Sequence, residues 1–289
     1  MKYPTQSKCP YCHCEGKYFF QILSRCYYRC IDCDLIYIYK VDSHKNKARM
    51  EFYKNKYYTI YTNDQREGGR LGLYCHILDL IESRKGCGNL LDVGAGLGFF
   101  IKKAQERGWK VYGIEPSKES SAIAVELVGK NIFNGTLEEY KGGRDFDAIT
   151  FINVLDHLDE PWQEIEHVRK QIKPRGLIYL RFPNGLMHTL VFRIASRFRA
   201  SKLISKYLVF HEYCFTKKYI ERLLNDCGFG EINVVNSTPS EGNSGRLFRS
   251  EFYARKIKKF VYVIMGLIYI LSAKKILLGT SLEVTAFRR

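Results

Sequence analysis

The stretch LLDVGAGLGFF, residues 90–100, decides the fold. An apolar run leads into three glycines, and a helix-compatible segment follows. Glycine in such a turn permits positive φ and lets a ligand approach the backbone closely. The dinucleotide fingerprint is G-x-G-x-x-G, whose last glycine eases packing of the helix on the strand. Here Gly94, Gly96 and Gly98 bring the third glycine one residue early. Asp92 stands just before the first glycine. A carboxylate there repels a pyrophosphate and suits a ligand carrying an ammonium or sulfonium charge.

Outward from this turn, strand and helix patterns alternate as in a parallel α/β sheet. Strands are expected at Leu90–Val93, Lys110–Ile114, Phe146–Ile152, Leu177–Phe182, Glu231–Val235 and Ser281–Phe287. Helices are expected at Leu71–Ile81, Phe99–Arg107, from Ser117, from Pro161 to about Ile172, and at Lys217–Cys227. Gly108 and Gly228 supply helix stops, and Pro161 a start. Ligands of such sheets bind at the carboxyl ends of the strands.

The chain has 289 residues, 46% hydrophobic and 26% charged, which fits a globular protein with one α/β domain and a small appendage. Its net charge of +16 points to an anionic partner: nucleic acid, an acidic membrane surface or a phosphorylated substrate. The first residues, MKYPTQSKCPYC, have no apolar core for export, so a cytoplasmic location is expected. In a reducing compartment, ten cysteines indicate metal ligands or buried thiols rather than disulfides. Six of them fall between Cys9 and Cys33. Cys9 and Cys12 form one C-x-x-C knuckle, and Cys30 and Cys33 a second after a 17-residue spacer. That spacing matches a four-thiolate structural zinc site on a ribbon of short strands around Tyr18–Ile22 and Leu35–Tyr39. Redox activity is the alternative; Cys14 and Cys26 are bystanders or alternative ligands.

Three units follow: a zinc ribbon over 1–41, a helical lead-in over 42–88, and an α/β domain over 89–289. Tyr53, Tyr57, Tyr58 and Tyr61 in the lead-in read as packing residues or a flap over the ligand.

Beyond the turn, the second strand ends in GIEPS, whose Glu115 falls where an acidic residue meets ribose hydroxyls. Together LDVGAGLG, GIEPS, FDAITFINVLDHLDEP, IKPRGLIYLRFPN and HEYCFTKKYIERLLNDCGF resemble class I S-adenosylmethionine-dependent methyltransferases, in that family's order. The cysteine knuckles resemble those of its members with an N-terminal zinc ribbon. The resemblance implies a Rossmann-like seven-stranded sheet with helices on both faces. It also implies S-adenosylmethionine as cofactor, with Asp92 and the backbone at Gly94, Gly96 and Gly98 at the methionine part. Glu115 then binds the ribose, Thr136 and Leu137 line the adenine, and Asn153 lies beside the methyl donor. The family often has Asp where Thr136 stands.

Methyl transfer to a hydroxyl is an in-line displacement that gains from positioning and from a general base, most often histidine. His211 in FHEYCF and His157 in NVLDHLDEP are the leading candidates, with Tyr213 a third.

Two segments stand outside the methyltransferase core. Over about 185–210, Met187, Leu190, Val191, Ile194 and Phe198 recur at helical spacing. Arg193, Arg197, Arg199, Lys202 and Lys206 interleave with them, a basic amphipathic pattern for an anionic lipid surface or an ordinary cap helix. Over about 256–278, the uncharged run Phe260–Ala273 is flanked by lysines and is too short to span a bilayer. It reads as a buried helix or as monotopic contact at the inner face of the membrane.

The leading expectation is O-methylation of a sugar, glycan or lipid-linked small molecule. The alternative is methylation of RNA or another nucleic acid, which the charge would serve. Against it, NVLD replaces the NPP-aromatic motif of base amino-group methylation, and Cys9-Pro10 in the knuckle is the sole CP element. A non-catalytic scaffold is the third reading, opposed by the intact set from Asp92 to Glu115.

Overall fold

The computed structural model describes residues 4–39, 69–143, 145–199, 208–238, 263, 265–272 and 276–289. The four lead-in tyrosines, Lys202, Lys206 and the lysines flanking the apolar run lie outside those residues.

The N-terminal part forms β1 (Gln6–Lys8), β2 (Glu15–Ile22), β3 (Arg25–Cys30) and β4 (Ile36–Ile38). Then come α1 (Leu71–Lys85), β5 (Asn89–Val93), α2 (Phe99–Glu106), β6 (Lys110–Glu115), α3 (Lys118–Val128) and β7 (Ile132–Asn134). The chain continues through β8 (Phe146–Ile152), a short 3-10 turn (Leu155–His157), α4 (Pro161–Gln171), β9 (Ile172–Pro183) and α5 (Gly185–Arg197). It closes with β10 (Tyr213–Cys214), α6 (Lys217–Asp226), β11 (Phe229–Asn236) and β12 (Ser281–Arg288).

Seven strands form one sheet in the order β11-β12-β9-β8-β5-β6-β7. The five strands from β9 to β7 pair parallel, while β12 runs antiparallel to both β9 and β11. Alternation along each buried strand divides the core between the two faces. Leu91, Ile149 and Ile178 pack with Ile165 and Val168 of α4 and Leu223 of α6. Leu90, Ala148 and Leu177 pack with Ile77 and Ile81 of α1 and Ile101 of α2. Side-chain caps fix the helix starts that direct the chain over these faces: Ser117 accepts from Ser120 N, Asn184 from Met187 N and Thr216 from Tyr219 N.

Several boundaries differ from expectation by a few residues, as where α1 runs on to Lys85 rather than ending at Ile81 and β2 begins at Glu15 rather than Tyr18; β9 shows the largest shift. Strand β9 begins at Ile172, five residues before Leu177, because a bulge with Arg175 at φ 58° carries the pairing past a register shift opposite Phe146/Ala148. The strands β1, β7 and β10, of two or three residues each, are too short to show a period of their own.

The ribbon forms a second sheet, β1-β2-β3-β4-β10, whose last strand comes from beyond α5. Tyr37 pairs with Tyr213, and Ile36 with Cys214. Tyr11 packs its ring edge-on to Tyr219 at 5.4 Å and donates to Asp226. Arg222 of α6 bonds Asp32 of the ribbon. The cysteines of the ribbon and the core under β8 and β9 therefore belong to one continuous cluster.

Candidate functional site

The glycine turn lies at the carboxyl end of β5, facing the end of β6. Gly94, Gly96 and Gly98 have φ of 77°, 55° and 84°, a region costly for other residues. A Cβ on Gly94 would overlap Val154, and one on Gly98 would reach 3.0 Å from Ala124 Cα, so that glycine lets α2 pack on α3. Gly94 N and Ala95 N both donate to Ile114 O, tying the turn to β6.

Two buried carboxylates flank the turn. Asp92 Oδ1 accepts from Thr150 Oγ1 at 2.6 Å, and burial pushes its carboxyl up to about 7. Glu115 accepts from Gly96 N and Ser117 N, each at 2.8 Å, and burial raises it as well. Backbone donors thus brace Glu115 at the strand end while desolvation opposes its charge. A cationic or hydroxyl-bearing ligand would relieve that penalty.

Thr136 and Leu137 follow β7. The Thr136 hydroxyl is engaged in a small turn, donating to Glu139 Oε2 and accepting from Glu139 N, while Leu137 is buried in the core. Asn153 has φ 58°, and its Oδ1 accepts from Arg181 Nη1 at 2.6 Å. The buried Arg181 also donates to Ser237 Oγ just past β11, which steadies the guanidinium that holds the Asn153 side chain.

Val154, packed on Gly94, leads directly into the 3-10 turn carrying Asp156 and His157. His211 arrives from before β10 to meet them. Its Nε2 lies 3.4 Å from Asp156 Oδ2, that of His157 lies 4.0 Å away, and the two imidazole centroids are 4.0 Å apart. Asp156 is 2% exposed, and neither of its side-chain oxygens has a hydrogen-bond partner among the described residues. Burial raises the Asp156 carboxyl and lowers the His211 imidazole to about 4, with the Asp156 charge pulling His211 back up. A neutral imidazole beside a buried carboxyl can take a proton and have the resulting charge stabilised. Tyr213 stands apart: its hydroxyl donates to Asp159 O at 2.7 Å and its ring packs on Trp162 and Phe215.

The sulfurs of Cys9, Cys12, Cys30 and Cys33 converge within 4.8 Å of one another. Cys9–Cys33 and Cys12–Cys30 approach to 3.6 and 3.4 Å. Tetrahedral zinc with Zn–S near 2.3 Å has sulfur–sulfur edges of roughly 3.8 Å, so the four thiols suit such a cation. Cys9 is held down at about 5, chiefly by the Cys33 thiol, while Cys33 is pushed up. Such crowding is relieved by a divalent cation. Cys14 lies off this set, 3.5 Å from Asp32, and Cys26 is buried without joining it.

A family model described as a methyltransferase domain matches residues 66–233, more than half of the chain. The chain belongs to this methyltransferase-domain family.

Among the relatives of this methyltransferase, a ubiquinone biosynthesis O-methyltransferase of Aliivibrio fischeri (strain MJ11) is 26% identical over 153 residues, covering 50% of this chain and 65% of the relative. The mitochondrial ubiquinone biosynthesis O-methyltransferase of Dictyostelium discoideum is 28% identical over 109 residues, covering 32% and 34%. The chain thus spans less than two thirds of either relative. A solved magnesium protoporphyrin IX methyltransferase from Synechocystis PCC 6803 with bound SAM superposes with TM-score 0.52 at 14% identity, covering 87% of this chain and 100% of that one. The fold is that of S-adenosylmethionine-dependent methyltransferases.

Sequence reasoning passed over Asp156 and Arg181. Asp156 precedes His157 in NVLDHLDEP, and an acid adjoining a histidine at a strand end was the available signal. Arg181 reads as one charge within IYLRFPN, and nothing local shows that it meets Asn153.

Proposed function

We propose that this methyltransferase passes the methyl group of S-adenosylmethionine to a hydroxyl of a small-molecule acceptor, of the sugar, glycan or lipid-linked class. The carrying observation is the buried Asp156 carboxyl, two residues beyond the Val154 that packs on the glycine turn, lying 3.4 Å from His211 Nε2 with no hydrogen-bond partner among the described residues. Asp92, Glu115 and the backbone at Gly94, Gly96 and Gly98 hold the cofactor, and Asn153, fixed by Arg181, borders its methyl group. When bound, the cofactor supplies an electrophilic methyl on a cationic sulfur. His211 takes the acceptor's hydroxyl proton. With Nε2–H turned toward Asp156, Nδ1 is the nitrogen left to receive it, and the Asp156 charge stabilises the imidazolium. His157 crowds the same carboxyl and restricts the rotation of His211. The relatives' name, O-methyltransferase, supports oxygen as acceptor atom. The four thiols of the ribbon hold a structural zinc, closed to substrate by its four ligands.

The test is transfer of labelled methyl from S-adenosylmethionine into fractionated cell extract. Label in RNase-resistant glycan or lipid fractions is expected, falling at least about tenfold with His211→Gln or Asp156→Asn. Calorimetric cofactor binding should survive both substitutions and fail in Asp92→Ala. Label removed by RNase would move the acceptor to nucleic acid, the reading that the +16 charge favours. Undiminished transfer by His211→Gln would remove it as base.

A further inference from the structure

Helix α5 carries apolar residues on both sides. One side, through Met187, Phe192 and Ala195, is buried on the domain. The other is a ridge at every fourth position: Leu186, Leu190, Ile194 and Phe198 are 40%, 46%, 52% and 77% exposed. An ordinary cap helix turns such a ridge inward and leaves polar residues outside. Here the anchoring is done elsewhere. The Asn184 side-chain amide donates to Leu277 O and Gly279 O, and His188 Nε2 meets Thr280 O at 2.9 Å.

Those anchors tie the start of α5 to the 277–280 segment, and the residues preceding that segment in sequence also expose apolar side chains. Ile276, 48% exposed, adjoins the residue bonded to Asn184, and the short helix before it in sequence exposes Leu267, Ile270 and Leu271 at 54%, 67% and 84%. Nine of the fifteen exposed large hydrophobic residues described fall in these two segments, counting Val263. A row of exposed apolar residues along one face of a helix marks a contact on a folded protein.

Charge selects the contact. Arg193 and Arg197 lie along the ridge on α5, and exposed Arg199 follows its end, on a chain of net charge +16. Arg193 is also stacked over Phe19 of the ribbon at 4.6 Å, which locks the helix to the rest of the molecule. A second copy docked through the same face would set these arginines against themselves. Nucleic acid would satisfy the arginines yet bring no apolar surface for the leucines and isoleucines. A bilayer with anionic headgroups does both: acyl chains take the ridge and phosphates take the guanidinium groups. None of the described helices is long and apolar enough to cross a membrane.

We propose that the exposed ridge of α5, together with exposed Leu267, Ile270, Leu271 and Ile276, seats this protein on an anionic lipid surface, with the apolar residues entering the headgroup boundary. The inference stands on the surface alone and does not depend on the identity of the methyl acceptor.

Flotation of the full chain with vesicles of phosphatidylcholine and phosphatidylglycerol in equal parts, against phosphatidylcholine alone, tests it. The full chain should float with the anionic vesicles and much less with the neutral ones. Leu190→Asp combined with Ile194→Asp should weaken flotation at least about tenfold, because charges replace the inserted side chains. Arg197→Glu combined with Arg199→Glu should abolish the preference for phosphatidylglycerol. Both pairs change exposed positions, so unaltered melting temperature and cofactor binding verify their folds. No flotation of the wild-type chain overturns the proposal. So does flotation untouched by the Leu190/Ile194 pair, which would leave only diffuse attraction of a basic protein. A wild-type dimer that this pair turns to monomer, without vesicle binding, would instead assign the face to a second copy.

Discussion

The Tyr27 phenol donates to the carbonyl oxygen of His211 across 3.1 Å, from the cysteine ribbon to the segment that carries the proposed base. Ile38 N donates to the next carbonyl, that of Glu212, and the pairing continues into β10. Phe210, one residue before His211, packs between Phe20, Tyr27 and Phe192. The ribbon strands on either side of the second cysteine knuckle thus hold the backbone that brings His211 to Asp156. Tyr27 acts as a positioning residue, and burial raises its phenol so that it stays a neutral donor. Tyr27→Phe keeps the ring and removes the donor. It should lower unfolding stability by about 1–2 kcal/mol in a urea titration. It should also shift the His211 titration seen by histidine NMR, assigned through His211→Gln. An unmoved titration would leave Tyr27 as packing only.

Purified protein should contain a single zinc ion per chain, read by elemental analysis, with slow alkylation of Cys9, Cys12, Cys30 and Cys33 until a chelator is added. Because β3 and β4 bracket the Cys30–Cys33 knuckle, chelation should also change the near-ultraviolet signal of buried Tyr27, Tyr28 and Tyr37. Immediate alkylation of all four thiols in the untreated protein would exclude a bound metal.

Asp92 makes cofactor binding depend on pH. Burial raises its carboxyl to about 7, so in the ligand-free protein much of it is protonated below neutrality. A cationic ligand favours the ionised form, hence binding releases a proton and tightens as pH rises through 7. Affinity for S-adenosylmethionine should fall up to about tenfold from pH 7.5 to 6, a range in which the ligand's amino group remains mostly charged. Asp92→Asn should flatten this dependence in calorimetry. The stability sign is opposite: a raised carboxyl favours the ligand-free fold below the ordinary carboxylate range, and that advantage is lost as pH climbs to about 7. Asp92→Asn should therefore raise the melting temperature more at pH 8 than at pH 4.

Gly94→Ala joins two penalties, a φ of 77° and overlap with Val154. Left-handed backbone at alanine costs about 1–2 kcal/mol, and the overlap roughly 1–3 kcal/mol more. Differential scanning calorimetry should show the loss, and cofactor binding should disappear. Adding Val154→Ala should recover the steric part and leave the backbone part. Full recovery by the double variant would show that the glycine is there for space alone.

The sequence by itself determined the sheet, the glycine turn with its two carboxylates and the four-cysteine set. Each is a local pattern: alternating strands and helices, three glycines after an apolar run, two C-x-x-C knuckles. Such patterns are written by neighbouring residues, since backbone conformation and ligand spacing are set within a few positions. The tertiary structure alone decided that His211 meets Asp156, because the two are far apart in sequence and the ribbon strand pairing brings them together. It decided in the same way that Arg181 grips Asn153, across the register of β8 and β9. It also decided which side of α5 faces outward. Apolar spacing marks that helix on both sides, and its rotation is fixed by the bonds from Asn184 and His188 to the 277–280 segment together with Phe192 packing on Phe20 and Phe210.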